Sequence, residues 1–470
     1  MDTAEAKDFG GRPVCDSGWA EGELEGVELG DARLERRLIR VAEDLSSQPE
    51  YPVNQACEDA AATKAAYRLF DNDKVNTEKI FIAHRAKTIC RMRQEPIVLA
   101  IQDTTFFNFT GHKKTRGLGP IGDKSGKLQG LILHSTLAVT PSGLPLGVLT
   151  HDCWARTGFR ENEFTHEKLP IEEKESYRWV ETLREISQLS VSQRNSMVVT
   201  VADRECDIYE FLLEAQLLNA KYVIRAAHNR YVLDSEHKYI HDCICATPVR
   251  AQVEVTVPSQ QRTAVANVRF SAITLCAPER LTKSKNKLNV VGWVISVEEV
   301  KPPAGVEAIS WMLLTNVPVT SLDHAVERVS WYRRRWSIEE FHKVLKSGCM
   351  VEKSRLQTAA RLKRYIALLC IIAWRIFWLV HLQRADPGAP AEVALTQAEI
   401  GTLRSLKRFT GRFQQSTAMT VRQAVIAIAC LGGYLNRKND PPPGATTVWR
   451  GWQRLASMSE LYESIVPGCG

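Results

Sequence analysis

The sequence is short of the features that would place it in a specialised class. Its 12 cysteines follow no framework spacing, which excludes a small disulfide-stapled scaffold and leaves reduced thiols as the reading. His241-x-Cys243-x-Cys245 has no second ligand pair at structural-zinc spacing, so it is not read as a metal site. The most apolar stretch, Tyr365 to Leu382, carries Arg375 at its middle. A central arginine is costly in a bilayer, so the stretch is read as a buried helix, with no membrane partner. The opening MDTAEAKDFGG holds no basic-then-apolar leader, which fits a cytoplasmic location. No internal repeat is found, and the first 80 residues hold no strand pattern.

What is present is an ordinary globular composition, 44% apolar and 24% charged. At 470 residues the chain exceeds what one core organises, so two or three domains are expected. The excess of 61 Lys+Arg over 54 Asp+Glu gives +7, which suits a polyanionic partner without requiring one. Ala32 to Leu45 has apolar residues at helical spacing, arginines at 33, 36, 37 and 40, and Gly30-Asp31 as a helix start. A second helical stretch runs from Gln55 to Phe70.

From residue 95 the pattern changes. Ile97 to Ile101 is a continuous apolar run followed by Asp103, as expected of a strand buried on both faces. A basic loop with Lys113, Lys114, Arg116, Lys124 and Lys127 comes next. Leu131 to Val139, Pro141-Ser142-Gly143 and Leu146 to Thr150 read as a hairpin. Then follow a helical segment (Glu172 to Leu189), a strand (Met197 to Val201) running into Asp203, a helix (Ile208 to Leu218) and a strand (Tyr222 to Ala226). Strand, strand, strand, helix, strand, helix, strand is the order of the ribonuclease H-like fold, with an Asp closing the first and fourth strands. Alternating residues between about 230 and 320 read as an inserted antiparallel sheet. The expected fold is therefore α/β, a ribonuclease H-like catalytic core with that insertion, flanked by helical domains. The expected boundaries are 1–80, 81–384 and 385–470, with Ala385 to Pro390 as the clearest linker and Pro441-Pro442-Pro443-Gly444 as a further break.

Trp331 to Lys346, WYRRRWSIEEFHKVLK, is the most informative segment. On a continuous helix with Tyr332 at zero, Arg335, Glu339, Lys343 and Lys346 fall within about 60° of it. Ile338, Phe341, Val344 and Leu345 then face the core, and Glu340 points about 80° away from the stripe. A carboxylate among cations is usually a solvated ion-paired face, and an Asp after a strand is usually a turn residue. The set changes that balance: two strand-end carboxylates and a helical one converge in this topology. Three carboxylates suffice for two Mg²⁺ ions about 4 Å apart, which activate a nucleophile and stabilise a leaving oxygen in phosphodiester cleavage.

Tyr332…Arg335…Glu339…Lys346, Asp103-Thr104-Thr105 and Asp203-Arg204-Glu205-x-Asp207-Ile208 resemble the signature motifs of bacterial cut-and-paste DDE transposases of the insertion-sequence-four family. That resemblance implies Asp103, Asp203 and Glu339 as catalytic metal ligands, with two Mg²⁺, or Mn²⁺, per site. It implies Tyr332, Arg335, Lys343 and Lys346 as DNA contacts, Arg225 as a further basic contact, and Arg33 and Arg37 as end-binding residues. Trp311 sits where the family stacks a flipped base, although it reads equally as a strand core residue. Leu34 stands where the family has a second arginine, so the recognised end sequence does not transfer. The implied partners are double-stranded DNA, as element ends and target, and a second copy of the chain in a synaptic dimer, nucleoid-associated when on DNA. The implied reaction is strand cleavage freeing a 3′-hydroxyl, a hairpin intermediate and strand transfer. A nuclease on the same fold and a non-catalytic DNA-binding regulator are the alternatives.

Overall fold

Capping side chains set where the N-terminal helices begin. The computed structural model describes residues 18–57, 59–122, 126–158, 169–191, 196–234, 236–257, 260, 262–279, 288–406 and 418–465; Lys124 lies outside them. Helix α1 is Trp19–Glu23, α2 Ala32–Ser47, α3 Val53–Ala56, α4 Ala60–Asp71 and α5 Thr77–Met92. Asp31, Asp59 and Asn76 each accept a backbone N–H in the first turn of α2, α4 and α5, satisfying donors that a helix start leaves open. The expected helix from Gln55 to Phe70 is therefore two, because Asp59 caps a new one. Helix α2 buries Leu38, Val41, Ala42 and Leu45 and leaves Arg33, Arg36 and Arg40 exposed.

Helix α1 is tied to α5 by a buried ion cluster. Glu23 of α1 accepts from Arg91 Nη1 and Nη2 of α5 at 3.0 and 2.9 Å and lies 2.6 Å from His84 Nδ1. Burial alone would raise the Glu23 carboxyl, but the Arg91 charge and the His84 hydrogen bond hold it down to about 2.

Strands β1 (Ile97–Asn108), β2 (Gly119–Pro120), β3 (Gln129–Val139), β4 (Pro145–Trp154), β5 (Met197–Ala202) and β6 (Lys221–Arg225) form the core sheet. Helices α6 (Arg178–Val191) and α7 (Tyr209–Leu217) lie between β4 and β6, and α6 is preceded by two short 3₁₀ turns rather than starting at Glu172. After α8 (Ile240–Ala246) come β7 (Ala251–Val257), β8 (Arg262–Leu275), β9 (Val290–Glu299) and β10 (Ser310–Thr315). Strand order is β2-β3-β1-β5-β6-β10-β9-β8-β7, with β4 also on β3. β1, β5 and β6 are parallel neighbours and the other pairings are antiparallel. The insertion is antiparallel as expected. It is continuous with the core, because β10 pairs β6 on one side and β9 on the other.

Helices α9 (Leu322–Arg333), α10 (Trp336–Lys343), α11 (Ala359–Ala385), α12 (Gln397–Ser405), α13 (Val421–Leu431) and α14 (Ala445–Ile465) complete the chain. By length and composition α11 is apolar enough to cross a membrane, yet 89% of its most apolar window is buried inside the protein. Its Arg375 lies between Trp19 of α1 and Trp452 of α14, 4.8 and 5.1 Å from the ring centroids, which replaces lost hydration by cation–π contact.

Candidate active site

Sheet register brings the two aspartates together. The parallel β1–β5 pairing ends at Ile101↔Val201, and two residues further on lie Asp103, still within β1, and Asp203, just past the end of the neighbouring β5. Asp203 follows the end of β5, as expected. Asp103 does not close its strand: β1 runs on to Asn108, because Thr104 to Asn108 keep their antiparallel partners on β3. Each carboxylate accepts the next backbone N–H, Thr104 at 2.8 Å and Arg204 at 2.6 Å.

The third carboxylate arrives on α10. The segment Trp331 to Lys346 is not the single helix expected from its periodicity. Helix α9 ends at Arg333, a turn covers 334–335, and α10 widens into a π-type turn over Val344–Gly348, a feature common at functional sites. The apolar side behaves as expected, with Ile338, Phe341, Val344 and Leu345 all at most 1% exposed. The polar stripe does not stay intact. Tyr332 is buried at 4% exposure, edge-on to Trp311 at 5.3 Å and hydrogen-bonded to Arg225. Lys343 is exposed and acts on Glu340. Lys346, inside the wide turn, is half-buried, 6.0 Å from the Phe107 ring and within electrostatic reach of Asp103. The break at 334–335 puts Tyr332 on a different helix from Glu339 and the wide turn holds Lys346, whereas Lys343 stays on α10 one turn beyond Glu339.

Arg335 sits at the centre. Its Nη1 is 3.6 Å from Asp103 Oδ2 and 3.7 Å from Asp203 Oδ2, and its Nη2 donates to Glu339 Oε1. All four side chains are partly buried. Burial pushes the Asp103 carboxyl up to about 6, with Arg335 opposing and the other two carboxylates adding to the rise. The donor set is all oxygen, which suits a hard divalent cation such as Mg²⁺ or Mn²⁺ rather than zinc. Among the described residues no three His, Cys, Asp or Glu side chains stand close enough to share one ion; the carboxylates are spaced around the guanidinium instead.

Beside this centre is a cavity of about 170 Å³ lined by Arg225, Trp311, Tyr332, Arg333, Arg335 and Trp336. Arg225 Nη2 donates to Ser310 O at 2.9 Å. A larger groove of about 790 Å³ runs between α4 and residues 355–361, with Lys64, Arg68, Arg355 and Arg361 along it. On α2, Arg33 is exposed and paired with its own cap Asp31 at 3.2 Å, and Arg37 is half-buried. His241 and Cys245 are exposed neighbours on the short α8, and among the described residues no group of three His, Cys, Asp or Glu placed to hold a metal includes them.

Sequence reading did not give roles to several residues that hold the site. Asp207, with a fully buried side chain, accepts from Ala227 N, His228 N and Arg230, fixing the loop after β6. Glu352 accepts Asn108 N at 2.7 Å, holding the end of β1. Ser135 and His342 meet at 2.9 Å beneath the site. Only the place of Asp207 in an acidic motif was a signal, since the other contacts join residues more than 200 positions apart.

Three known families match this chain: a transposase DNA-binding family over residues 16–75, a transposase DDE domain over 175–375, and a Tn5 transposase dimerisation domain over 371–463. The DDE match spans Asp203 and Glu339 and begins after Asp103, whose place in the site rests on its register beside Asp203. The domains provide for DNA binding and for homodimer formation, and DDE chemistry uses divalent metal ions. Three such matches in this order, over a ribonuclease H-like core, make the protein a Tn5-like DNA transposase of the DDE type.

Proposed function

We propose that Asp103, Asp203 and Glu339 are the metal-binding catalytic carboxylates of an enzyme that cuts DNA at the ends of its own element and joins those ends to target DNA. The observation that carries this reading is the convergence of all three on one cation, Arg335. Two Mg²⁺ or Mn²⁺ ions held there would activate the attacking oxygen and stabilise the leaving one. Lys346, Arg225 and Arg335 then supply positive charge for DNA phosphates beside the cut, arginine through its two-pronged fork. Trp311, partly exposed at the 170 Å³ cavity and backed by Tyr332, offers an aromatic face for an unstacked base, which supports a hairpin step. Element-end DNA lies along the arginine side of α2, including the exposed Arg33 and the half-buried Arg37, and the basic groove lined by Lys64, Arg68, Arg355 and Arg361.

The motifs quoted above support placement in the insertion-sequence-four family, and domain limits near 1–80, 81–384 and 385–470 are kept as part of this reading, although the first falls within α5 (Thr77–Met92) and the second at the last residues of α11 (Ala359–Ala385). The dimer forms around paired ends, as a synaptic complex, through α14. That helix leaves Met458, Leu461 and Ile465 exposed at 37, 61 and 67%, an apolar stripe at helical spacing within the dimerisation domain.

The test is a denaturing gel of wild type and Glu339→Gln acting on the gene's flanking DNA with Mg²⁺ or Mn²⁺. The expected result is nicks and fold-back hairpins at one fixed position from wild type alone, with end binding retained by the variant. Cutting by the variant removes Glu339 from the set. Unspecific nicking by wild type would favour a nuclease.

Arg335 gives a second expectation. A guanidinium among three carboxylates competes with a divalent cation for the same charge. Arg335→Gln should therefore bind Mn²⁺ roughly tenfold more tightly than wild type without DNA, by titration calorimetry, a change of about 1.4 kcal/mol. Equal or weaker binding would show that Arg335 does not compete for these carboxylates.

A further inference from the structure

Helix α10 carries Glu339 and is short. It has eight residues, with a turn at 334–335 before it, and it widens directly into the π-type turn Val344–Gly348, so no regular α-helix continues it on either side. Ile338 and Phe341 press it onto the core with 0% exposure. Apolar contact is non-directional and leaves sliding and rotation poorly defined. A hydrogen bond has direction and length. Among the described residues, the one side-chain hydrogen bond from α10 into the sheet joins His342 Nε2 and Ser135 Oγ at 2.9 Å.

The place where that bond lands matters. Ser135 on β3 pairs directly with Asp103 on β1, and cross-strand partners share a face of the sheet. His342 stands one turn beyond Glu339. The path Glu339–His342–Ser135–Asp103 thus joins two carboxylates that lie 236 positions apart in sequence by one helical turn, one hydrogen bond and one cross-strand pair. Both linking side chains are buried, Ser135 at 0% and His342 at 5% exposure, so water does not compete for the bond. Burial also keeps the imidazole neutral, with its pKa pushed down to about 3. On the opposite face of β1, Thr104 Oγ1 meets His134 Nδ1 at 2.9 Å, so the residue after Asp103 is held as well.

We propose that His342 and Ser135 are positioning residues that set the spacing of Glu339 from Asp103 through their hydrogen bond, and so set the affinity of the site for divalent metal. The proposal rests on the reading of those two carboxylates as metal ligands. The two claims are separated by including Asp103→Asn, which must lose Mn²⁺ binding if that reading holds.

The experiment uses the full-length, metal-free protein and Mn²⁺ as the probe, following the free-ion signal by electron paramagnetic resonance. Ser135→Ala, His342→Leu, the double variant and His342→Gln are compared with wild type. Thermal midpoint and end-DNA binding are measured in parallel. Ser135→Ala and His342→Leu should each weaken Mn²⁺ binding about tenfold, as expected when a group supporting metal ligands is lost. End-DNA affinity should stay unchanged, and excess metal should restore most cleavage. The double variant should be no weaker than the worse single one, because both remove the same bond. His342→Gln, whose amide can replace Nε2, should recover most of the affinity. Wild-type Mn²⁺ affinity in Ser135→Ala, with Asp103→Asn losing it, would overturn the proposal and leave the metal reading intact. Fully additive losses in the double variant would overturn it too. Wild-type affinity in Asp103→Asn would remove the metal reading beneath it.

Discussion

Asp103→Asn is expected to abolish strand cleavage, by about 10³-fold or more, and at the same time to raise the thermal stability of the metal-free protein. The loss of activity is on the scale seen when one member of a concerted catalytic set is removed. The gain in stability follows from the sign of the shift. Burial raises the Asp103 carboxyl from 3.8 to about 6, so ionising it at pH 7.5 is harder in the folded chain than in the unfolded one. A raised carboxyl adds stability only at low pH and loses that contribution as pH climbs through the folded value. At pH 7.5 the ionised group costs about 3 kcal/mol at most. Asparagine does not carry that cost, and partial exposure of the site reduces the difference to about 1–2 kcal/mol, or a few degrees. Melting in EDTA at pH 7.5 and a cleavage gel measure the two effects. A lower midpoint would mean that the Asp103 charge stabilises the fold through Arg335. Undiminished cutting would remove Asp103 from the site.

The protein is also expected to lose most of its stability between pH 6.5 and 5, through its buried histidines. Burial pushes His134 and His151 down to about 4 and His342 and His381 down to about 3, and lowers His84 as well. The folded state therefore keeps these rings neutral, while the unfolded chain takes up protons below about 6.5. For a depressed pKa the stabilisation is full above the unfolded value and is lost as pH falls towards the folded one. At pH 5 each of the four strongly shifted rings would cost about 2 kcal/mol at most. Together they approach the whole stability of an ordinary protein. Asp103, Glu43, Glu185 and Glu340, with raised carboxyls, run the opposite way and offset part of the loss. Glu23 adds to the loss only below about 4.5, since its depressed carboxyl is still ionised in both states above that. Thermal midpoints at pH 7.5, 6.5, 5.5 and 5.0 in one buffer series test this. A midpoint that stays level to pH 5 would show that these rings take protons without unfolding.

The sequence by itself determined the local elements, because periodicity and capping are short-range. Asp31 starts α2 by accepting a neighbouring N–H, and the alternating residues of β7 and β9 appear as antiparallel strands. Strand order also placed Asp103 and Asp203 on neighbours, since two buried parallel strands in this topology lie side by side. Helical spacing correctly turned Ile338 and Phe341 inward.

Tertiary structure alone decided how the polar groups are used. Periodicity assumes an unbroken helix, but the break at 334–335 leaves Tyr332, now buried, on a different helix from Glu339, and the wide turn at 344–348 takes in Lys346. Continuity of the insertion with the core sheet depended on β10 choosing β6 as a neighbour, a contact between distant residues that no local pattern encodes. Arg335, read as a phosphate contact, also faces three carboxylates, which its place in the sequence does not reveal. Charges far apart in the chain interact only once folding has removed the water between them. The same holds for His342 and Ser135, whose hydrogen bond exists because a strand and a helix 207 positions apart pack face to face.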